Sequence, residues 1–218
     1  RRAKAAAGVP PPAPEALQGH DLSAEQAEAL QALAAATAPV LLYGATGSGK
    51  TEVYLRATQA VLETATPESE SPTQVLVMVP EINLTPQLEA RFRERFEPAF
   101  GAGSVVCLHS GMTPAQRLTS WLAAHTGSAR IVLGTRMAVF ASLPGLRLIV
   151  VDEEHDPSYK SQEGARYSAR DLAVYRAKVE SEALANAPHP GPLPPAGEGE
   201  APRCQVLLGS ATPSLESW

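Results

Sequence analysis

One stretch restricts the fold of this chain more than any other: Gly44-Ala45-Thr46-Gly47-Ser48-Gly49-Lys50-Thr51, which follows the apolar run Val40-Leu41-Leu42-Tyr43. It matches the phosphate-binding pattern G-x-x-x-x-G-K-[ST] at every fixed position. Glycines reach backbone dihedrals that other residues reach only at a steric cost, so such a loop can wrap an anion with its N–H groups pointing inward. The loop has to open a helix, because unpaired N–H groups and the positive end of the helix dipole lie there. Apolar Val53, Tyr54, Ala57, Ala60 and Val61 predict that helix over 52–63. A strand, a phosphate loop and a helix in this order commit the chain to an α/β architecture.

A second motif, Asp152-Glu153-Glu154-His155, ends the apolar run Leu148-Ile149-Val150-Val151. Alone, an acidic cluster after a strand is also what a solvated loop looks like. Beside a phosphate loop, it supplies what the hydrolysis of a nucleoside triphosphate needs. Lys50 can reach the β- and γ-phosphates, and Thr51 and Asp152 are the Mg²⁺ candidates. Glu153 is the candidate general base for the attacking water. The catalytic set is therefore Lys50, Asp152 and Glu153, within a nucleotide-binding set that covers 44–51.

The remaining pattern alternates strands with helices. Strands are predicted over 75–79, 105–108, 131–133, 146–151 and 206–208, with little internal alternation, as for strands buried on both faces. Ser23 with Gln26 reads as a capping box that opens a helix reaching about 36. A helix after Thr85 carries Leu84, Leu88, Phe92 and Phe96 at i+4 spacing, with Arg91, Arg93 and Arg95 mostly to the outside, and another covers 114–125. This order predicts a mainly parallel sheet with helices on both faces and ligands at the C-terminal strand ends. Residues 1–21 read as an Ala/Pro-rich linker and 22–218 as the domain, with a Pro/Gly insertion over about 181–203 that lacks periodicity and is expected to be a disordered loop. Both ends look cut, as in an internal piece of a larger protein.

Composition narrows the partners. The net charge of −5 and pI near 5.6 exclude an overall basic coat for nucleic acid, so any such contact must be local. Cys107 and Cys204 stand apart with no C-x-x-C partner, which argues against zinc or a disulfide framework here and for a reducing cytoplasm. No apolar run reaches membrane-spanning length.

The other strand ends are Pro80-Glu81-Ile82-Asn83-Leu84-Thr85-Pro86-Gln87, His109-Ser110-Gly111, Gly134-Thr135-Arg136 and Gly209-Ser210-Ala211-Thr212-Pro213. Singly, each also fits a turn or a helix cap, Thr85 as an N-cap and Gly209 as a turn glycine. As an ordered series with 44–51 and 152–155, they resemble the superfamily 2 DExH helicases. Glu52-Val53-Tyr54, Arg91-Phe92, Asp156, Ser158-Tyr159-Lys160, Gln162-Glu163-Gly164 and Tyr167-Ser168-Ala169-Arg170-Asp171-Leu172-Ala173 narrow the resemblance to the primosomal replication-restart helicases. It covers about 22–218, interrupted near 181–203.

The resemblance implies a RecA-like P-loop domain, the first of two lobes of an ATP-driven 3′-to-5′ DNA helicase that uses Mg²⁺. It also implies forked and single-stranded DNA as partners, together with primosome proteins and single-strand-binding protein, in the cytoplasm. The zinc-binding cysteines of that family would lie outside this chain. Thr85 and Arg136 correspond to residues that contact the tracking strand, Ser210 and Thr212 to a loop that couples nucleotide state to DNA, and His155 to its relay. Residues 159–170 correspond to an aromatic-rich loop that senses single-stranded DNA, with Tyr159, Lys160, Arg166, Tyr167 and Arg170 as candidates for stacking and phosphate contact. Ala165 departs from the family, standing where the resemblance leads one to expect Trp. Tyr167 reads equally as a ring packed on the sheet edge, and Gln26 equally as half of a capping box or as an adenine-reading glutamine. The alternatives are another superfamily 2 translocase, such as a repair or restriction motor, and an ATP-binding remnant without turnover.

Overall fold

A computed structural model of the chain describes residues 21–64, 72–162, 164–186 and 203–213. The expected linker, Asp21 apart, lies outside these residues, as does most of the expected insertion. Among these residues six strands form one sheet in the order β1-β6-β5-β2-β4-β3, every pair parallel. They are β1 (Val40–Tyr43), β2 (Gln74–Met78), β3 (Val105–Leu108), β4 (Ile131–Gly134), β5 (Leu146–Val151) and β6 (Gln205–Ser210). Among the described residues five α-helices connect or flank them: α1 (Ala24–Ala35), α2 (Lys50–Glu63), α3 (Pro86–Phe100), α4 (Pro114–His125) and α5 (Ala169–Asn186). The α/β class and parallel sheet agree with the sequence reading. Helix α5 corrects the insertion boundary, since its last turns occupy 181–186.

The sheet is a two-sided core because side chains alternate across each strand. Val75 and Val77 of β2 face Leu33 of α1, Val53 and Leu62 of α2, and Phe92 and Phe96 of α3. Leu76 and Met78 face the opposite layer, built from Ala124 of α4, Ala138 and Val139, and Ala169, Ala173 and Ala177 of α5. Small residues on α5 let that helix lie close to the strands, as with the alanines of a tightly packed layer. Local caps fix the helix starts: Ser23 and Gln26 form the expected capping box, and Thr85 accepts from the Leu88 amide at 3.3 Å. Arg95 is a correction. It is not an outward arginine, because its guanidinium donates to Gln59 Oε1 at 2.9 Å and lies 3.9 Å from Glu52, tying α3 to α2.

Below the sheet, a single buried amide closes the end opposite the site. Gln74 is fully buried; its Nε2 donates to the Ala124 and Ala129 carbonyls, each at 2.7 Å, and its Oε1 accepts from the Gly145 amide at 3.1 Å. Replacing it with an apolar isostere strands the Ala129 carbonyl and the Gly145 N–H out of reach of water, whereas the Ala124 carbonyl keeps the Gly127 amide at 3.2 Å. Each orphaned group costs about 1–3 kcal/mol. Gln74→Leu is therefore expected to lower the unfolding free energy by at least about 2 kcal/mol, read as a lower urea midpoint at unchanged slope. An unchanged or raised midpoint would show that apolar burial outweighs the lost bonds.

Candidate functional site

The strand order decides which loops meet. In sequence, the glycine-rich loop, the acidic motif and 209–212 are far apart; in the sheet they leave the adjacent strands β1, β5 and β6 at the same edge. The Gly44 amide donates to the Ser210 carbonyl at 3.0 Å, and the Glu154 amide to the Gly209 carbonyl at 2.9 Å. Loop 209–212 is thus bonded on one side to the phosphate loop and on the other to the acidic motif.

The phosphate loop has the expected construction. Gly47 and Gly49 are left-handed, with φ of 82° and 85°, and Gly49 opens α2 with no side-chain cap, leaving the helix N-terminus to the loop mouth. Lys50 lies across that mouth, donating to the Gly44 carbonyl at 2.7 Å with its Nζ 3.4 Å from Glu153 Oε1. The loop borders a cleft of about 680 Å³ that is also lined by Gln26, Thr51, Thr85, Arg91, Asp152 and Glu153. Gln26 completes the α1 capping box, and its Nε2 donates to the Gly49 carbonyl at 3.4 Å.

Asp152 and Glu153 divide as their surroundings dictate. Asp152 is held from two sides: Tyr54 of α2 donates its hydroxyl to Oδ1 at 2.7 Å, and Tyr159 donates to the main-chain carbonyl at 2.7 Å. Burial raises the pKa of the Asp152 carboxyl; the Tyr54 hydrogen bond works against that rise, while neighbouring Glu153 adds to it. Burial, followed by the charge of Asp152, likewise raises the Tyr54 phenol far above its ordinary range, so it stays a donor. Glu153 has a φ of 45°, a positive value among non-glycine residues that carries strain. That turn points its carboxylate at three groups: Lys50, the Ala211 amide at 3.4 Å, and His155 Nδ1 at 3.7 Å. His155 has both ring nitrogens engaged, Nδ1 with Ser210 Oγ at 2.8 Å and Nε2 with Thr212 Oγ1 at 3.1 Å.

The donors suit Mg²⁺ with a triphosphate. Thr51 lies in the first turn of the phosphate-loop helix and, with Asp152, lines the cleft, and Tyr54 occupies one Asp152 oxygen while the other stays out of that bond. Among the described residues there is no group of three or more His, Cys, Asp or Glu side chains arranged to hold a metal by themselves. Cys107 and Cys204 are buried free thiols, pushed up to about 12 by burial.

The residues read as contacting DNA separate into two sets. Arg136 Nη1 donates to the Lys160 carbonyl at 3.2 Å, and Lys160 and Arg166 are exposed; Tyr167 packs edge-to-face against Phe140. Two candidates are corrected. Tyr159 is 1% exposed and its hydroxyl is committed to Asp152, so its ring offers no stacking face. Arg170 is turned inward, pairing with buried Glu154 at 3.1 Å and with Asp171 at 2.6 Å, so it holds the start of α5 rather than a phosphate. Thr85 caps α3 and borders the nucleotide cleft. Sequence reasoning missed Tyr54 as a partner of Asp152, although its place one turn after Lys50 on the phosphate-loop helix carries that signal. It also missed Arg91 at the cleft and the Glu154–Arg170 pair.

A glycine-rich loop, an acidic strand end and loop 209–212 on adjacent strands of one parallel sheet define a P-loop domain. The chain belongs to the DEAD/DEAH box helicases, whose family model matches residues 23–217. Within that family it is similar to the replication restart proteins PriA. It is 44% identical to that of Haemophilus influenzae over 81% of this chain and 20% of the relative, and 38% identical to that of Bacillus subtilis over 82% and 18%. It is 39% identical to that of Chlamydia pneumoniae over 95% of this chain and 23% of the relative. The chain thus spans about a fifth of the length of these relatives. Solved structures share the fold: a DEAD-box helicase bound to ssRNA and UDP-BeF superposes over 89% of this chain and 36% of its own, with a TM-score of 0.58 at 17% identity. RecG bound to a three-way DNA junction superposes over 92% of this chain and 22% of its own, with a TM-score of 0.51 at 20% identity. No helix among the described residues is long and apolar enough to cross a membrane.

The Tyr54–Asp152 bond gives a pH-dependent expectation. A carboxyl whose pKa is raised on folding costs stability as pH climbs above the ordinary carboxylate range, because the folded state must then carry the buried charge. The Tyr54 hydroxyl favours the charged form and so relieves that cost most where the carboxyl is ionised. Tyr54→Phe is therefore expected to destabilise more at pH 8 than at pH 4.5, read by urea unfolding of both proteins at both pH values. An equal loss at the two would mean that the hydroxyl does not support the ionised carboxylate.

Proposed function

We propose that this chain is the ATP-binding lobe of an ATP-dependent 3′-to-5′ DNA helicase that acts in replication restart and primosome assembly. The observation that carries the reading is the position of Glu153, within 3.4 Å of both Lys50 and the Ala211 amide. One carboxylate touches the phosphate lysine and the coupling loop together. Lys50 would leave its loop carbonyls to neutralise the β- and γ-phosphates of ATP. Glu153 would orient the attacking water and accept its proton, its base strength tempered by the Lys50 charge. Mg²⁺, when bound with ATP, would neutralise phosphate charge, and Thr51 and Asp152 are the residues that would hold it. As Glu153 changes partners on hydrolysis, the Ala211 amide and His155 would feel the change, and Ser210 and Thr212 would move with His155.

Forked and single-stranded DNA are the proposed polymer substrates, with primosome proteins and single-strand-binding protein as partners. Phosphoryl transfer of this kind also needs cations from outside the lobe to stabilise the transition state, so this lobe alone is a nucleotide binder with little turnover. The test is ATPase activity of the full-length protein, with and without forked DNA. The expected results are DNA-stimulated turnover, loss of nucleotide binding in Lys50→Ala, and retained binding with roughly 10²- to 10⁴-fold slower turnover in Glu153→Gln. Turnover indifferent to DNA would overturn the helicase reading.

A further inference from the structure

We propose that Phe140 is a stacking platform for one base of single-stranded DNA, with Arg136, Lys160 and Arg166 gripping the flanking phosphates. This rests on the DNA-tracking role proposed above and names a site for it. Phe140 ends the 3₁₀ turn Arg136–Phe140 and is 61% exposed. An exposed phenylalanine alone is unremarkable; this one is held rigidly. Ala138 and Val139 beneath it are buried, the Ala141 amide donates to the Ala138 carbonyl at 3.0 Å, and Arg176 of α5 donates to the Val139 carbonyl at 2.8 Å. The backbone that presents the ring is fixed, so ordering it on binding costs little.

The ring has the right neighbours. Tyr167 meets it edge-to-face, centroids 5.1 Å apart and planes at 74°, which orients both rings. Tyr167 is itself fixed, since its carbonyl accepts from the Ser161 amide at 2.8 Å and Ser168 bridges Lys160. Arg136, at the other end of the same turn, reaches the Lys160 carbonyl at 3.2 Å. Among the described residues Arg136, Lys160 and Arg166 form no ion pair, while the carboxylates of the adjoining helix are engaged, Asp171 with Arg170 and Glu180 with Arg176. Since Tyr159 is buried, Phe140 and Tyr167 supply the rings that this side of the site presents. A paired base in a duplex keeps its faces stacked on its neighbours, whereas a single strand can lay a base on an exposed ring beside cations.

The experiment measures binding of a labelled oligo(dT) to the full-length protein by fluorescence anisotropy across a salt series. Phe140→Ala is expected to weaken binding roughly 5- to 150-fold, the range that stacking of one base accounts for, without changing the slope of log K against log salt. Phe140→Trp is expected to restore it, and Arg136→Gln to make the slope shallower by roughly 0.7. Phe140→Ala binding as tightly as the parent would overturn the proposal while leaving the helicase reading intact. So would a Phe140→Ala loss accompanied by a shallower slope, since phosphate contacts would then have been lost. A parent protein that binds no single strand would overturn both readings.

Discussion

Everything at the site depends on β1, β6 and β5 lying side by side in one parallel ladder. Parallel pairing sends every strand's C-terminal end to the same edge, and this order places the phosphate loop, loop 209–212 and the acidic motif next to one another. Two main-chain bonds, Gly44 to Ser210 and Glu154 to Gly209, hold the three loops at fixed spacing. Side-chain chemistry is then assembled on a main-chain frame whose geometry barely depends on the side chains. The frame continues through β2 and β4, whose ends carry Thr85 and Arg136, so these residues lie along one row with the glycine-rich loop and the acidic motif.

Within that frame, Glu153 concentrates the strain. A non-glycine residue at positive φ costs of order 1 kcal/mol or more and persists only where its surroundings hold it. Here Lys50, Ala211 and His155 surround its carboxylate, and the buried pair of Glu154 with Arg170 pins the next residue. Asp152 is the quieter neighbour, fastened by Tyr54 and Tyr159. One of two adjacent carboxylates is clamped and the other poised, a division that suits a metal ligand beside a base.

Much of this was legible in the sequence. The glycine spacing of 44–51, the capping residues Ser23 and Thr85, and the unbroken apolar strands are local patterns whose physics is local, and they mark both the elements and the nucleotide site. What could not be read depends on strand order and on which way a side chain turns. Tyr159 sits in a loop rich in polar residues and looks available to a base, yet the 3₁₀ turn Pro157–Tyr159 folds it under Asp152. Arg170 and Arg95 look like surface cations, but their partners Glu154, Gln59 and Glu52 come from other elements. Phe140 follows a strand-end loop as an ordinary apolar residue, and only the packing of α5 beneath its turn reveals an outward ring.

The Glu154–Arg170 pair carries a mechanical consequence. Removing one partner of a buried ion pair costs about 3–5 kcal/mol, because the other charge is left uncompensated away from water, so separation of this pair is resisted. The first turn of α5 and the acidic motif therefore shift as one piece. A displacement of Ser168, which bridges Lys160, is carried through Arg170 to the residue beside Glu153, as through a linkage rather than a hinge.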